Sequence, residues 1–296
     1  MTDLLVRSYK LVVSPITEHV SPTVDLQEAI DLSALDIRFK VKKTLKPKPN
    51  TAVIRVWGLD AVTRAYFSFP KKLAVSLEVG YGGENELIFL GECRNSFSEV
   101  EGPENVTTIE TGDSEKVMSA AGLRLTWGQS TVTIQHAFDA IRTTIPQILS
   151  GSQTKQWADA NAVLGKLQYQ VLHPKPGAID RHSIRFLNDI CRSAGLEWSV
   201  QNGALYLIPR GQPMAGKEIL LSSDPNTGLV GSPSVDNKGF LDVKSLIMPG
   251  LRPGARIRVE ATNVRGDYRI ESVEYEGDSA PGERTWYAKM VCSKLG

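Results

Sequence analysis

Residues 184–209, IRFLNDICRSAGLEWSVQNGALYLIP, decide how this chain is organised. Ile184, Leu187, Ile190, Cys191 and Ala194 recur at helical spacing, and Gly195 follows where a left-handed residue closes a helix. Leu196-Glu197-Trp198-Ser199-Val200 then alternates apolar and polar, and so does Ala204-Leu205-Tyr206-Leu207-Ile208. Between the two runs stands Asn202-Gly203, a pair that accepts the positive φ angles of a type I′ turn. The stretch therefore predicts an amphipathic helix, a glycine stop and a tight β-hairpin. Gly195, Asn202 and Gly203 are its structural site residues.

Working outward, the texture changes on both sides. Towards the N-terminus the period is two: Asp36 to Lys42, Thr51 to Leu59, Leu73 to Val79 and Val106 to Thr111 each put apolar side chains on one face. Gly80-Tyr81-Gly82-Gly83 reads as a hairpin turn into Leu87-Ile88-Phe89-Leu90 rather than a phosphate loop, because no helix follows it. Ser114 to Ala121 suggests a short helix and Leu123 to Trp127 a strand. Ser130 or Thr131 is placed to cap a helix bearing Ile134, Ala137, Phe138, Ile141 and Ile145 on one face. Beyond Pro209-Arg210-Gly211 strands return, at Leu241 to Leu246, Ala255 to Ala261, Tyr268 to Tyr275 and Thr285 to Cys292, with Pro249-Gly250 and Pro253-Gly254 as breakers. The expected architecture is mainly β with an α+β insert. Strand-rich regions over 1–113 and 214–296, whose short strands and turns suggest a barrel or sandwich, flank an insert domain over 114–213.

Composition narrows the function classes. The chain has 296 residues, enough for two or three cores, and 34 basic against 33 acidic residues leave a net charge of +1. That balance provides no overall drive towards nucleic acid or an anionic bilayer. Apolar runs such as Leu87 to Leu90 fall far short of the roughly 20 residues of a spanning helix, and the first residues lack the pattern of a secretory signal. Cys93, Cys191 and Cys292, odd in number and far apart, read as reduced, buried small hydrophobes, which argues against a disulfide scaffold and for synthesis in a cytoplasm.

Few groups promise chemistry. His19, His136, His173 and His182 are scattered, and no nucleophile elbow, paired zinc spacing or Walker loop is present. His173, His182 and Cys191 are too widely spaced for zinc, and Asp180 reads as a helix N-cap rather than as half of a dyad. Lys42 to Asn50 is the one concentrated basic run; without interleaved aromatic residues it reads as a solvated hairpin loop. Glu99, Glu101 and Glu104 form its acidic counterpart. No catalytic residue, cofactor site or metal site emerges.

Three ordered blocks carry a resemblance. Val75 to Tyr81 leading into Ile88-Phe89-Leu90-Gly91 is the first, and Asp189 to Gly203 closed by Ile208-Pro209-Arg210-Gly211 the second. The third runs from Thr227-Gly228-Leu229-Val230-Gly231-Ser232-Pro233 through Leu251 to Gly254 to Tyr268-Arg269-Ile270-Glu271-Ser272-Val273 and Gly277-Asp278. Together they resemble the baseplate hub family of contractile and related phage tails, which includes the N-terminal hub part of type VI secretion spike proteins. The resemblance implies a structural protein of the virion tail baseplate, made in the bacterial host cytoplasm. It implies a homotrimer with two similar β-barrels per subunit, the first over 1–113 and the second over 214–296 with strands open to exchange between them, and a pseudo-hexameric ring joining the tail tube protein to a separate central spike protein. Other baseplate subunits would surround it, DNA would pass through its lumen, and no membrane insertion or cofactor would be needed. Two alternatives remain open: a receptor- or carbohydrate-binding tail component, and a glycan hydrolase whose carboxylates come from distant strands.

Overall fold

The computed structural model describes residues 6–16, 29–68, 72–113, 122–127, 132–133, 171–173, 177–202 and 204–296. The chain is mainly β. Its N-terminal part carries β1 (Arg7–Pro15), β2 (Ile30–Asp31), β3 (Ile37–Thr44), β4 (Thr51–Trp57), helix α1 (Ala61–Ser68), β5 (Leu73–Tyr81), β6 (Glu84–Glu101) and β7 (Glu104–Gly112). The middle carries β8 (Gly122–Trp127), β9 (Val132–Thr133), β10 (Val171–His173), β11 (Gly177–His182), helix α2 (Ser183–Ser193), β12 (Leu196–Gln201) and β13 (Ala204–Pro209). The last part carries β14 (Ile219–Ser222), β15 (Ser234–Val235), β16 (Leu241–Leu246), β17 (Arg256–Glu260), β18 (Arg265–Asp278) and β19 (Trp286–Lys294).

The two strand-rich ends are not separate sheets. Thirteen strands form one hydrogen-bonded sheet in the order β15-β16-β19-β18-β3-β4-β7-β6-β5-β1-β2, with β14 and β17 branching from β18. The branch point explains the continuity. One edge of β18 pairs with β19, while the other pairs with β17 through Arg265–Arg269 and with β3 through Ser272–Asp278. A 14-residue strand thus serves both ends. Beside β16, the segment after β14 closes back on the last strands: Val230 N donates to Lys244 O and Leu246 N to Gly228 O.

Alternation decides which faces are buried. In β3, Ile37, Phe39 and Val41 point inward and Arg38, Lys40 and Lys42 outward. Outside, Lys40 meets Glu274 and Glu276 of β18 at 2.8 and 2.7 Å, a cross-strand ladder of opposite charges. Inside, a single apolar cluster joins both ends, from Leu11 and Phe89 to Val259 and Met290. One row of that core runs Phe39–Gly277–Trp286 across β3, β18 and β19. The two rings meet edge to face over the glycine, 5.3 Å apart.

Where the sequence marked turns, the backbone obeys it. Gly82 and Gly83, joining β5 to β6, have φ of 61° and 89°. Two sequence expectations need correction. Asp180 is not an N-cap: it lies inside β11, opposite Arg124, and strand pairing persists to His182, directly before α2. Val132–Thr133, expected in the first helical turn after Ser130 or Thr131, is a short strand paired with β10. The helices expected over 114–121 and 134–145 lie outside the described residues.

Candidate functional site

The best-developed polar site is the joint between the middle hairpin and the main sheet. Helix α2 packs against β12 and buries Phe186, Leu187, Ile190 and Cys191, while Leu196 and Trp198 of β12 and Leu207 of β13 are buried in turn. The Trp198 indole N–H donates to Asn188 Oδ1 at 2.8 Å, fixing strand to helix. Gly195 closes α2 with φ of 67°. Asn202 ends β12 with φ of 52°, the one non-glycine residue with positive φ among those described. Gly203 lies outside the described residues. The hairpin thus presents its turn, with Asn202, to the β3–β4 loop and β6.

Asn50 is the centre of the joint. Just beyond the Thr51–Gly112 pair, Asp113 N donates to Asn50 O at 3.1 Å and the Asp113 carboxylate accepts Asn50 N at 2.7 Å. The Asn50 amide then reaches outward: Nδ2 donates to Asp113 Oδ2 at 2.7 Å, to Val200 O at 2.8 Å and to Gln201 Oε1 at 3.2 Å. Its Oδ1 accepts Thr44 N at 2.9 Å, and Gln201 Nε2 donates to Thr44 O at 2.8 Å. From β3, Lys43 Nζ donates to Ile88 O at 3.0 Å and to Asn202 Oδ1 at 2.9 Å. Lys43, Asn50, Asp113 and Gln201 are all buried. Burial pushes the Asp113 carboxyl up to about 6 although Asn50 donates to it, and pulls the Lys43 ammonium down to about 8.

The basic run therefore needs correction too. Lys46 and Lys48 are on the surface, but Lys43, Leu45 and Asn50 are buried beneath the hairpin rather than in a solvated loop. Lys43 still follows the strand alternation, since it faces inward between Lys42 and Thr44. Leu45 packs with Ile208 and Met214, adding an apolar patch to the joint. A second anchor lies on β18, where the buried Arg269 donates to Glu197 Oε2 of β12 at 2.9 Å, to Glu271 Oε1 at 2.8 Å and to Gln212 O at 3.2 Å. Beside the joint is a cavity of about 50 Å³ lined in part by Lys43, Glu86, Asn202, Tyr206, Arg252 and Tyr275, room for roughly one or two waters.

Nothing in this arrangement is a reacting pair. The amides and charges are spent on one another, and the chemistry they support is mechanical: they fix the middle element to the sheet. The cysteines are free thiols, with Cys191 and Cys292 buried as expected but Cys93 partly exposed, its Sγ against Asn95 O. Among the described residues no group of three His, Cys, Asp or Glu side chains is placed to hold a metal, and no helix is long and apolar enough to cross a membrane.

No protein-family model and no curated protein matches the chain. Solved structures do. A tail protein from Neisseria meningitidis MC58 matches with a TM-score of 0.61 at 10% identity, over 97% of each chain. The 43 kDa tail protein of prophage MuSo2 from Shewanella oneidensis gives 0.58 at 8% identity, over 97% of this chain and 98% of that one. An Escherichia coli component of the type VI secretion system, described as structurally similar to the T4 bacteriophage tail proteins gp27 and gp5, gives 0.54 at 10% identity, over 88% of this chain and 74% of that one. At such identities the likeness is one of fold. This chain has the fold of these phage tail proteins and of the type VI secretion component.

Proposed function

We propose that the protein is the hub of a phage or phage-derived tail baseplate, a structural part rather than an enzyme. The observation that carries this reading is the match in fold over 97% of both chains to a tail protein. In this reading three copies close into a ring through heterologous contacts. Each copy contributes two barrel-type units, built mainly from 1–113 and 214–296 and sharing β18, while 114–213 forms the insert between them. Three subunits with two units each give a pseudo-sixfold face to the tail tube and a threefold face to the spike, with a lumen through which DNA passes.

The forked pairing of β18 supports this division, because it lets one strand belong to both units. Partners come from the same reading: the tube protein above, the central spike below and other baseplate subunits around. Solved neighbours include a complex of PdpA with VgrG. A direct test is co-expression with the tube and spike proteins of the same particle. The account expects a complex containing all three on size-exclusion chromatography. Binding to glycan or host receptor with no association to tube or spike would move the protein to the receptor-binding class.

A further inference from the structure

Lys43 and Asp113 are both full charges taken out of water, at 4% and 0% exposure. Among the described residues neither forms an ion pair; each is held by neutral amides. The hairpin meets each of them through an amide: Asn202 Oδ1 accepts from Lys43 Nζ, and Asn50 Nδ2 donates both to the Asp113 carboxylate and to Val200 O of β12. We propose that the docking of the β12–β13 hairpin on the sheet is a pH-responsive latch, tied by Asn202 at Lys43 and by Asn50 at Asp113, that holds least firmly near neutral pH and tightens towards both acid and base. This inference does not depend on the assembly reading.

The reason is the cost of burying an unpaired charge, which favours the neutral form of either group. Asp113 is faced by Asn50 from the β3–β4 loop, by Lys43 from β3, by Asn202 from the end of β12, and by the Arg94 guanidinium of β6, which lies over Gly112. Lys43 is faced by Asp113, by Ile88 O and Glu86 of β6, by Arg252 from the loop after β16, and by Tyr206 and Tyr275 across the cavity. Burial outweighs the opposing charges at both positions.

The two titrations act in opposite directions along the pH scale. The folded-state Asp113 carboxyl, at about 6, lies above its unfolded value of about 4, so the folded state binds the extra proton and stability is lost as pH rises through 6. The folded-state Lys43 ammonium, at about 8, lies below its unfolded value of about 10, so stability is regained as pH rises through 8. The minimum falls between.

Denaturant unfolding of the full chain near pH 5, 7.5 and 9, with Asp113→Asn and Lys43→Met beside the parent, reads this directly. Relative to Asp113→Asn, the parent's folding constant is expected to be about tenfold higher at pH 5 than at 7.5. Relative to Lys43→Met, it is expected to be about eightfold higher at pH 9 than at 7.5. Flat ratios, or ratios that peak at neutral pH, overturn the latch. If the variants do not fold, carbon-13 titration of the Asp113 carboxyl in the parent decides: a midpoint near 6 supports the proposal and one at or below 4 refutes it. Amide exchange of β12 and β13, corrected for intrinsic rates, must show its fastest opening near neutral pH. A hairpin opening rate that does not follow pH contradicts the docking role.

Discussion

Replacing Asn50 with Ala is the perturbation that most clearly isolates the hairpin joint. The amide is buried and serves Asp113 Oδ2, Val200 O and Gln201 Oε1 as donor and Thr44 N as acceptor. Its loss leaves a buried carboxylate short of a donor, at about 1–3 kcal/mol, and strands Val200 O and Thr44 N at about 1 kcal/mol each. The total is about 3–5 kcal/mol, or roughly 5–8 °C in a chain of this size. The loss depends on pH. Asn50 is the hydrogen-bond donor that restrains the burial-driven rise of the Asp113 carboxyl, so the variant's carboxyl titrates above the parent's value of about 6. A raised folded-state carboxyl destabilises as pH rises through it, so the deficit is larger at pH 8 than at pH 5. Thermal melts of parent and variant at the two pH values measure both features. The double variant Asn50→Ala/Asp113→Ala should recover part of the loss, since donor and acceptor leave together. A deficit below about 1 kcal/mol, equal at both pH values, would refute the view that this buried network holds the hairpin in place.

Three further substitutions test other parts of the fold. In Gly277→Ala the new Cβ falls 2.2 Å from Phe39 Cζ and 2.9 Å from Trp286 Cε3, inside a row that joins both ends of the chain; overpacking there should cost about 1–3 kcal/mol in denaturant unfolding. Arg269→Met removes a buried cation from Glu197 and Glu271, which are partly solvated; a loss of about 1–3 kcal/mol is expected, with the melting temperature as readout. Asp60 Oδ1 accepts Val62 N and Thr63 N at the start of α1, so Asp60→Ala should lower the melting temperature, while circular dichroism should report little change in total strand content.

Much of the fold was legible because half-buried strands alternate and tight turns demand particular residues. The patterns at Ile37–Thr44, Leu73–Tyr81 and Leu241–Leu246 identify β3, β5 and β16, and glycine marks the β5–β6 turn and the end of α2. The strand β1 was missed because Leu11, Val12 and Val13 form a continuous apolar run without period two. Asp180 misled because a carboxylate near a helix start looks like a cap whether or not strand pairing continues past it. The joint was hidden for a different reason. Its members, Lys43, Asn50, Asp113 and Asn202, lie up to 159 positions apart and have the polar types expected of loops. Lys43, Asn50 and Asp113 are buried where the hairpin meets the sheet, and no local pattern announces a contact of that range. Asn202 was singled out for its backbone, whereas its side chain also grips Lys43.

The central claim is a threefold hub, and the copy number inside an assembled particle tests it most directly. Cryo-electron microscopy of the tail, reconstructed without imposed symmetry at the tube–spike boundary, counts the subunits beneath the last tube ring. The account predicts three copies of this chain there, closed around the channel and presenting six similar units to the tube. Copies located at the tips of peripheral fibres, or a ring of any other number at that boundary, would contradict it.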